Sequence, residues 1–142
     1  MGIITNQDGI LQTCNCGVDR SILQYLEILL ILSLIVKAPL NIELNGITND
    51  QTDQSVDSYR NAYIPLIKKF TPEWDVSLKV TRRGFQAGTG TVNLHSKPIR
   101  QIQATTLIER GPICKIRGAC SGSKVAPNLF EQSCESMQKC VL

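Results

Sequence analysis

Residues 40–46, LNIELNG, follow residues 21–36, SILQYLEILLILSLIV, and the change of period between them decides the fold. In the later stretch Leu40, Ile42 and Leu44 alternate with Asn41, Glu43 and Asn45, the period-two pattern of a half-buried strand, and Gly46 closes it. In the earlier stretch apolar residues lie on nearly every side of a helix, which predicts a helix buried in a core. Interrupted by Gln24 and Glu27, it falls short of the ~20 apolar residues a bilayer span needs. Lys37 and Pro39 end it, since proline disfavours helical geometry in the residue before it.

Working outward, a polar turn over 48–55 leads to a second helix. Its apolar positions Val56, Tyr59, Tyr63, Leu66, Ile67 and Phe70 share one face, and Thr71-Pro72 stops it. The chain then reads as β. Val76, Leu78 and Val80 alternate with Ser77, Lys79 and Thr81, and Val92 and Leu94 do so after a glycine turn. Ile99–Ile108 and Ile113–Cys120 are expected as two further strands, joined by Arg110-Gly111-Pro112. Pro127 opens a last helix with Phe130, Cys134, Met137 and Val141 on one stripe. This order predicts an α+β layer unit, with flanking pieces missing at both ends.

Composition supports a folded chain. Hydrophobic residues make up 42% and charged residues 19% of the 142 residues, which excludes whole-chain disorder. Aromatics are only 5%, so branched aliphatics must supply the packing. The net charge of +3 hides an asymmetry. Residues 1–78 carry five Lys/Arg against nine Asp/Glu, whereas residues 79–124 carry nine against Glu109 alone. A block this basic attracts phosphate or an acidic partner, or else guards the edges of a sheet.

Six cysteines raise the question of disulfides or zinc. No secretory n-region and h-region opens the chain, so reduced, mostly buried thiols in the cytoplasm or nucleus are expected. Cys14-x-Cys16, the six-residue step from Cys114 to Cys120, and a single histidine, His95, do not match paired zinc-ligand spacing. Asp50, Asp53 and Asp57 cluster at the start of the second helix. They lack calcium-loop spacing and are read as capping acids at its positive end, with Asp53 or Ser55 as the cap. Neither a G-x-S-x-G motif nor a cysteine with an evident base partner is present, and no catalytic residue is assigned.

The binding candidates are therefore basic. Arg82 and Arg83 flank a glycine turn and could grip a phosphate, or the turn is simply a hairpin loop. Lys115 and Arg117, two apart on an expected strand, share a face. Lys97, Arg100 and Lys124 complete the candidate set for RNA or partner binding.

Several stretches carry a resemblance. Arg20-Ser21-Ile22 with Tyr25-Leu26-Glu27, Gly46-Ile47-Thr48-Asn49-Asp50 followed by Asp53 and Ser55-Val56-Asp57, Arg82-Arg83-Gly84, and Lys115-Ile116-Arg117-Gly118 together resemble the RNA 3′-terminal phosphate cyclase superfamily. The Gly46–Asp57 stretch leans to the non-cyclising, cyclase-like branch, while Glu109-Arg110-Gly111 looks closer to true cyclases. Gly88-Thr89-Gly90-Thr91 departs from the family's glycine run ending in Glu.

The resemblance implies a truncated, diverged copy. Residues 1–38 would be the tail end of a preceding repeat. Residues 39–142 would be one repeat unit, a four-stranded sheet with helices packed on one face. The histidine that true cyclases adenylylate would lie beyond Leu142. It implies a non-enzymatic factor in small-subunit pre-rRNA processing, in the nucleus and nucleolus, with no cofactor. Pre-ribosomal RNA, a ribosome-assembly GTPase and small-subunit processome proteins would be partners, with no membrane. A fragment of an ATP-dependent cyclase and a non-functional truncated product are the alternatives.

Overall fold

The structure, a computed structural model, describes residues 11–85, 90–108, 111–116, 118, 120–122 and 125–141. The chain divides into two units, residues 1–106 and residues 107–142.

The first unit is built on a mixed four-stranded sheet in the order β1-β2-β4-β3. The strands are β1 (Gln12–Asn15), β2 (Leu40–Gly46), β3 (Val76–Arg82) and β4 (Gly90–Ser96). β1 runs parallel to β2, and Cys14 stands beside Leu44; this pairing joins residues on either side of position 38. β4 is antiparallel to both β2 and β3. The alternation read in 40–46, 76–80 and 92–94 is realised: Leu44, Leu78, Val92 and Leu94 are buried on one face.

Helix α1 (Ile22–Ile35) crosses that face. Ser21 caps it, its Oγ accepting from the Leu23 amide at 3.2 Å. The Ile22 amide donates to the Ile47 carbonyl at 2.8 Å, which ties the helix start to the end of β2. Ile22, Leu23, Leu26 and Leu30 are buried. The all-round burial expected of this helix is not found, because Ile28, Ile31 and Ile35 stand 61%, 62% and 73% exposed. A helix lying on a sheet buries one side only, whatever its composition. Among the described residues no helix is long and apolar enough to cross a membrane.

The second helical run starts at α2 (Val56–Ser58), passes through a π-helical turn (Tyr59–Tyr63) and ends as α3 (Ile64–Phe70). Ser55 caps it, accepting from the Ser58 amide at 3.3 Å. The π turn inserts a residue, with the Ile64 amide donating to the Tyr59 carbonyl, and it adjoins Pro65, which has no amide to donate. The inserted residue rotates the apolar face. Ile64, absent from the predicted stripe, is buried, while Tyr63 and Leu66 are exposed. Tyr59 and Tyr63 stack with centroids 4.2 Å apart. An open cleft of about 280 Å³ runs between this helical run and α1, lined by Leu30, Ile31, Leu34 and Ile67 among others.

Residues 99–108 form no strand, and neither do the described residues of 113–120, against expectation. Their polar groups turn elsewhere. The Gln103 amide donates to the Phe70 carbonyl at 2.7 Å and Thr105 Oγ1 to the Lys69 carbonyl at 2.8 Å, satisfying the last turn of α3.

In the second unit α4 (Pro127–Val141) starts at the predicted proline, with Phe130 and Cys134 half-buried. Cys14, Cys16, Cys114, Cys120 and Cys134 are free thiols. They are less buried than expected: Cys16 is buried and Cys14 and Cys134 half-buried, but Cys114 and Cys120 are exposed. Burial pushes the Cys16 thiol up to about 12, helped by the neighbouring Cys14.

A candidate nucleic-acid interface on the outer sheet face

The side chains that alternate with the core point to the opposite face of the sheet. Register sets them in rows. Thr13, Glu43, Asn93 and Lys79 lie side by side across four strands. Asn15, Asn45, Thr91 and Arg82 form the next row, and Asn41, His95 and Ser77 a third. Hydrogen bonds run across neighbouring strands: Thr91 Oγ1 donates to Asn45 Oδ1 at 2.8 Å, and Asn93 Nδ2 to Thr81 Oγ1 at 3.3 Å.

Simple alternation from Val76, Leu78 and Val80 would send Arg82 into the core. A β-bulge between Val80 and Arg82 prevents this, pairing Val80 with Val92 and Arg82 with Thr91. The extra residue, Thr81, re-aims Arg82 to the polar face. β3 is an edge strand, so Lys79 and Arg82 stand at the rim, both exposed and without an ion-pair partner among the described residues.

The other basic candidates separate. Arg83 is committed within the fold: its guanidinium donates through Nη1 and Nη2 to the Asp57 carboxylate, Nη2 reaching Oδ1 at 3.1 Å. That hydrogen bond holds the guanidinium charged more firmly than usual. Lys97 Nζ pairs with Asp75 Oδ2 at 2.8 Å, and the lysine keeps that exposed carboxyl below its usual range. Arg100 is exposed in the bend after β4. Lys115 is exposed in the second unit but on no strand, so the shared strand face expected for it with Arg117 does not form around it. Arg117 and Lys124 lie outside the described residues, as do Glu109, Arg110 and residues 86–89 of the glycine turn. Sequence reasoning counted Lys79 in the basic block but left it out of the site. Its polar position in the Val76–Val80 alternation was the available signal.

Gly46–Asp57 and Arg82–Gly84, the stretches that carried the resemblance, meet in space. The buried Thr48 joins them: its amide donates to the Gly84 carbonyl at 2.8 Å, and its Oγ1 accepts from the Gly84 amide at 3.0 Å. The same hydroxyl donates to Asn49 Oδ1 at 2.8 Å. Asp50 Oδ1 closes the preceding turn, accepting from the Asp53 amide at 2.6 Å and the Thr52 amide at 3.1 Å. Asp57 sits in the first turn of the helical run, where a carboxylate favours the positive end, and reaches Arg83. Gly90 is required here. A Cβ at this position would stand 2.7 Å from the Gly46 carbonyl oxygen and 2.9 Å from the Gly84 nitrogen, both fixed backbone atoms. These residues form a structural lock in which Asp50 closes the turn and Asp57 pairs with Arg83, while the cap falls to Ser55 and not to Asp53. Among the described residues, no three His, Cys, Asp or Glu side chains gather as metal ligands.

A family model described as RNA 3′-terminal phosphate cyclase matches residues 5–140. The chain is 38% identical over 127 residues to a probable RNA 3′-terminal phosphate cyclase-like protein of Dictyostelium discoideum, covering 89% of this chain and 34% of that protein. It is 42% identical over 121 residues to a similarly named protein of Arabidopsis thaliana, covering 84% and 32%. An rRNA processing protein of Schizosaccharomyces pombe is 32% identical over 125 residues, covering 86% and 34%. The chain thus spans about a third of the length of the curated relatives it matches. On the family match over nearly its whole length, the chain belongs to the RNA 3′-terminal phosphate cyclase family.

Proposed function

We propose that this chain serves ribosome biogenesis as a binding factor in small-subunit pre-rRNA processing, without catalysing a reaction of its own. Its relatives are cyclase-like proteins, one of them an rRNA processing protein, and this supports a ribosome biogenesis role at the level of the family. The observation that carries the proposal is the similarity to that rRNA processing protein over 86% of the chain.

The geometry of the outer sheet face supports an electrostatic mode of binding. The rim of the outer sheet face presents two cations without an ion-pair partner among the described residues, Lys79 and Arg82, beside amide and hydroxyl side chains that can donate to phosphate or sugar. Arg100 adds to them from beyond β4, and Lys115, Arg117 and Lys124 extend the positive stretch of the sequence. Arg83 and Lys97 join such a contact only by sharing their charge with Asp57 and Asp75. Pre-ribosomal RNA, a ribosome-assembly GTPase and small-subunit processome proteins are the partners in this reading, and the nucleolus its site.

Depletion of the chain from its own cells, followed by probing of pre-rRNA, tests the proposal. Accumulation of small-subunit precursors with large-subunit precursors unchanged is expected. An unchanged precursor pattern contradicts it.

A further inference from the structure

In the second unit three sulfur atoms converge. Cys120 Sγ contacts Met137 Sδ at 3.9 Å, and the Cys134 thiol lies near enough to Cys120 that this neighbour pushes its pKa up. Cys134 and Met137 are one helical turn apart on α4, so both project from one face. Cys120 comes from the segment before the helix. That segment is laid against α4, since a Cβ at Gly122 would stand 3.2 Å from the Phe130 ring. None of this is used by the outer sheet face, which belongs to the first unit.

We propose that Cys120, Cys134 and Met137 form a site for a soft monovalent metal ion, Cu(I). Two thiolates and a thioether are the donors that select such an ion over hard cations. The spacing suits it. With metal–sulfur bonds of about 2.3 Å, three sulfurs in a trigonal plane stand about 4.0 Å apart, close to the 3.9 Å already present between Cys120 and Met137. Zinc fits less well, because a structural zinc site closes with four ligands of nitrogen, oxygen or thiolate sulfur. Cys120 and Met137 are exposed, so the ion has a path in, and the nearby Glu131 carboxylate adds negative potential beside Cys134. Binding converts two thiols to thiolates and releases two protons, leaving the bound group with one negative charge.

Anaerobic titration of the whole chain with Cu(I) against bicinchoninate tests the site. One ion per chain should be withheld from the chelator. The double substitution C120S/C134S should abolish that tight binding, and M137L, which keeps the helix and the side-chain volume, should weaken it by roughly tenfold, about 1.4 kcal/mol. C14S/C16S, which removes the cysteine pair of the first unit, should leave it intact. X-ray absorption of the unsubstituted, Cu(I)-loaded chain should show three sulfur ligands, a readout independent of how any variant folds. Tight binding that survives C120S/C134S, disappears with C14S/C16S, or shows fewer than three sulfurs would overturn the proposal.

Discussion

Residues 76–96 and residues 99–116 are both rich in branched aliphatics, yet they end in opposite states. In the first stretch Val76, Leu78, Val92 and Leu94 are buried beneath α1 and the second helical run. In the second, Ile102, Leu107, Ile108, Ile113 and Ile116 are between 51% and 85% exposed. The difference is pattern and partner. Strict alternation with polar residues tells a strand which face to bury, and the β3–β4 hairpin provides a neighbour on the spot. The Ile99–Ile108 run does not alternate, follows Pro98, and turns the Gln103 amide and the Thr105 hydroxyl to the end of α3. Hydrophobicity without period does not make a strand.

Stability measurements can break this comparison. The largest effect should come from the core. Leu94→Ala removes a fully buried side chain and should cost about 3 kcal/mol in urea unfolding, whereas Ile108→Ala should cost less than about 0.5 kcal/mol. Equal losses at the two positions would mean that residues 99–108 are packed after all. Next is Gly90→Ala, which forces a methyl group against the Gly46 and Gly84 backbones and should cost about 1–3 kcal/mol. A neutral result there would remove the close approach on which the lock depends. A smaller effect than either Leu94→Ala or Gly90→Ala is expected of the Arg83–Asp57 pair. Both side chains are partly exposed, at 35% and 25%, so a double-mutant cycle of Arg83→Gln and Asp57→Asn should give a coupling of only about 0.5–1 kcal/mol. Zero coupling would leave Arg83 available to a ligand and return it to the binding set.

Much of the first unit was legible in the sequence, and the reasons are physical. The period change after Val36 marked α1 and β2, and the Val76–Val80 alternation marked β3. Ser55, one of two cap candidates beside Asp53, and Pro127 at a first helical position marked the starts of two helical segments. β1 was not legible, because QTCN is short and polar and owes its strand geometry to β2 beside it. Nor was the burial of Ile64, since it depends on an inserted π turn that leaves no mark in a period count. At the candidate interface, charge alone singled out Arg82 and Arg83 as equivalents. The bulge at Thr81 and the carboxylate of Asp57 divide them, and both are facts of tertiary structure. The convergence of Cys120, Cys134 and Met137 was only half visible: the helical stripe was read, but the segment folded against it was not.

The proposal that the outer sheet face holds RNA is tested most directly by the affinity of the chain for single-stranded pre-rRNA segments across a range of salt, with and without Lys79→Gln and Arg82→Gln together. Phosphate contacts make log affinity fall with log salt by about 0.7 for each contact in single strands. The double substitution should therefore weaken binding across all sequences tried and flatten the slope by about 1.4. An affinity and a slope unchanged by the substitutions would contradict the account, leaving Lys79 and Arg82 as charges that guard the edge of β3.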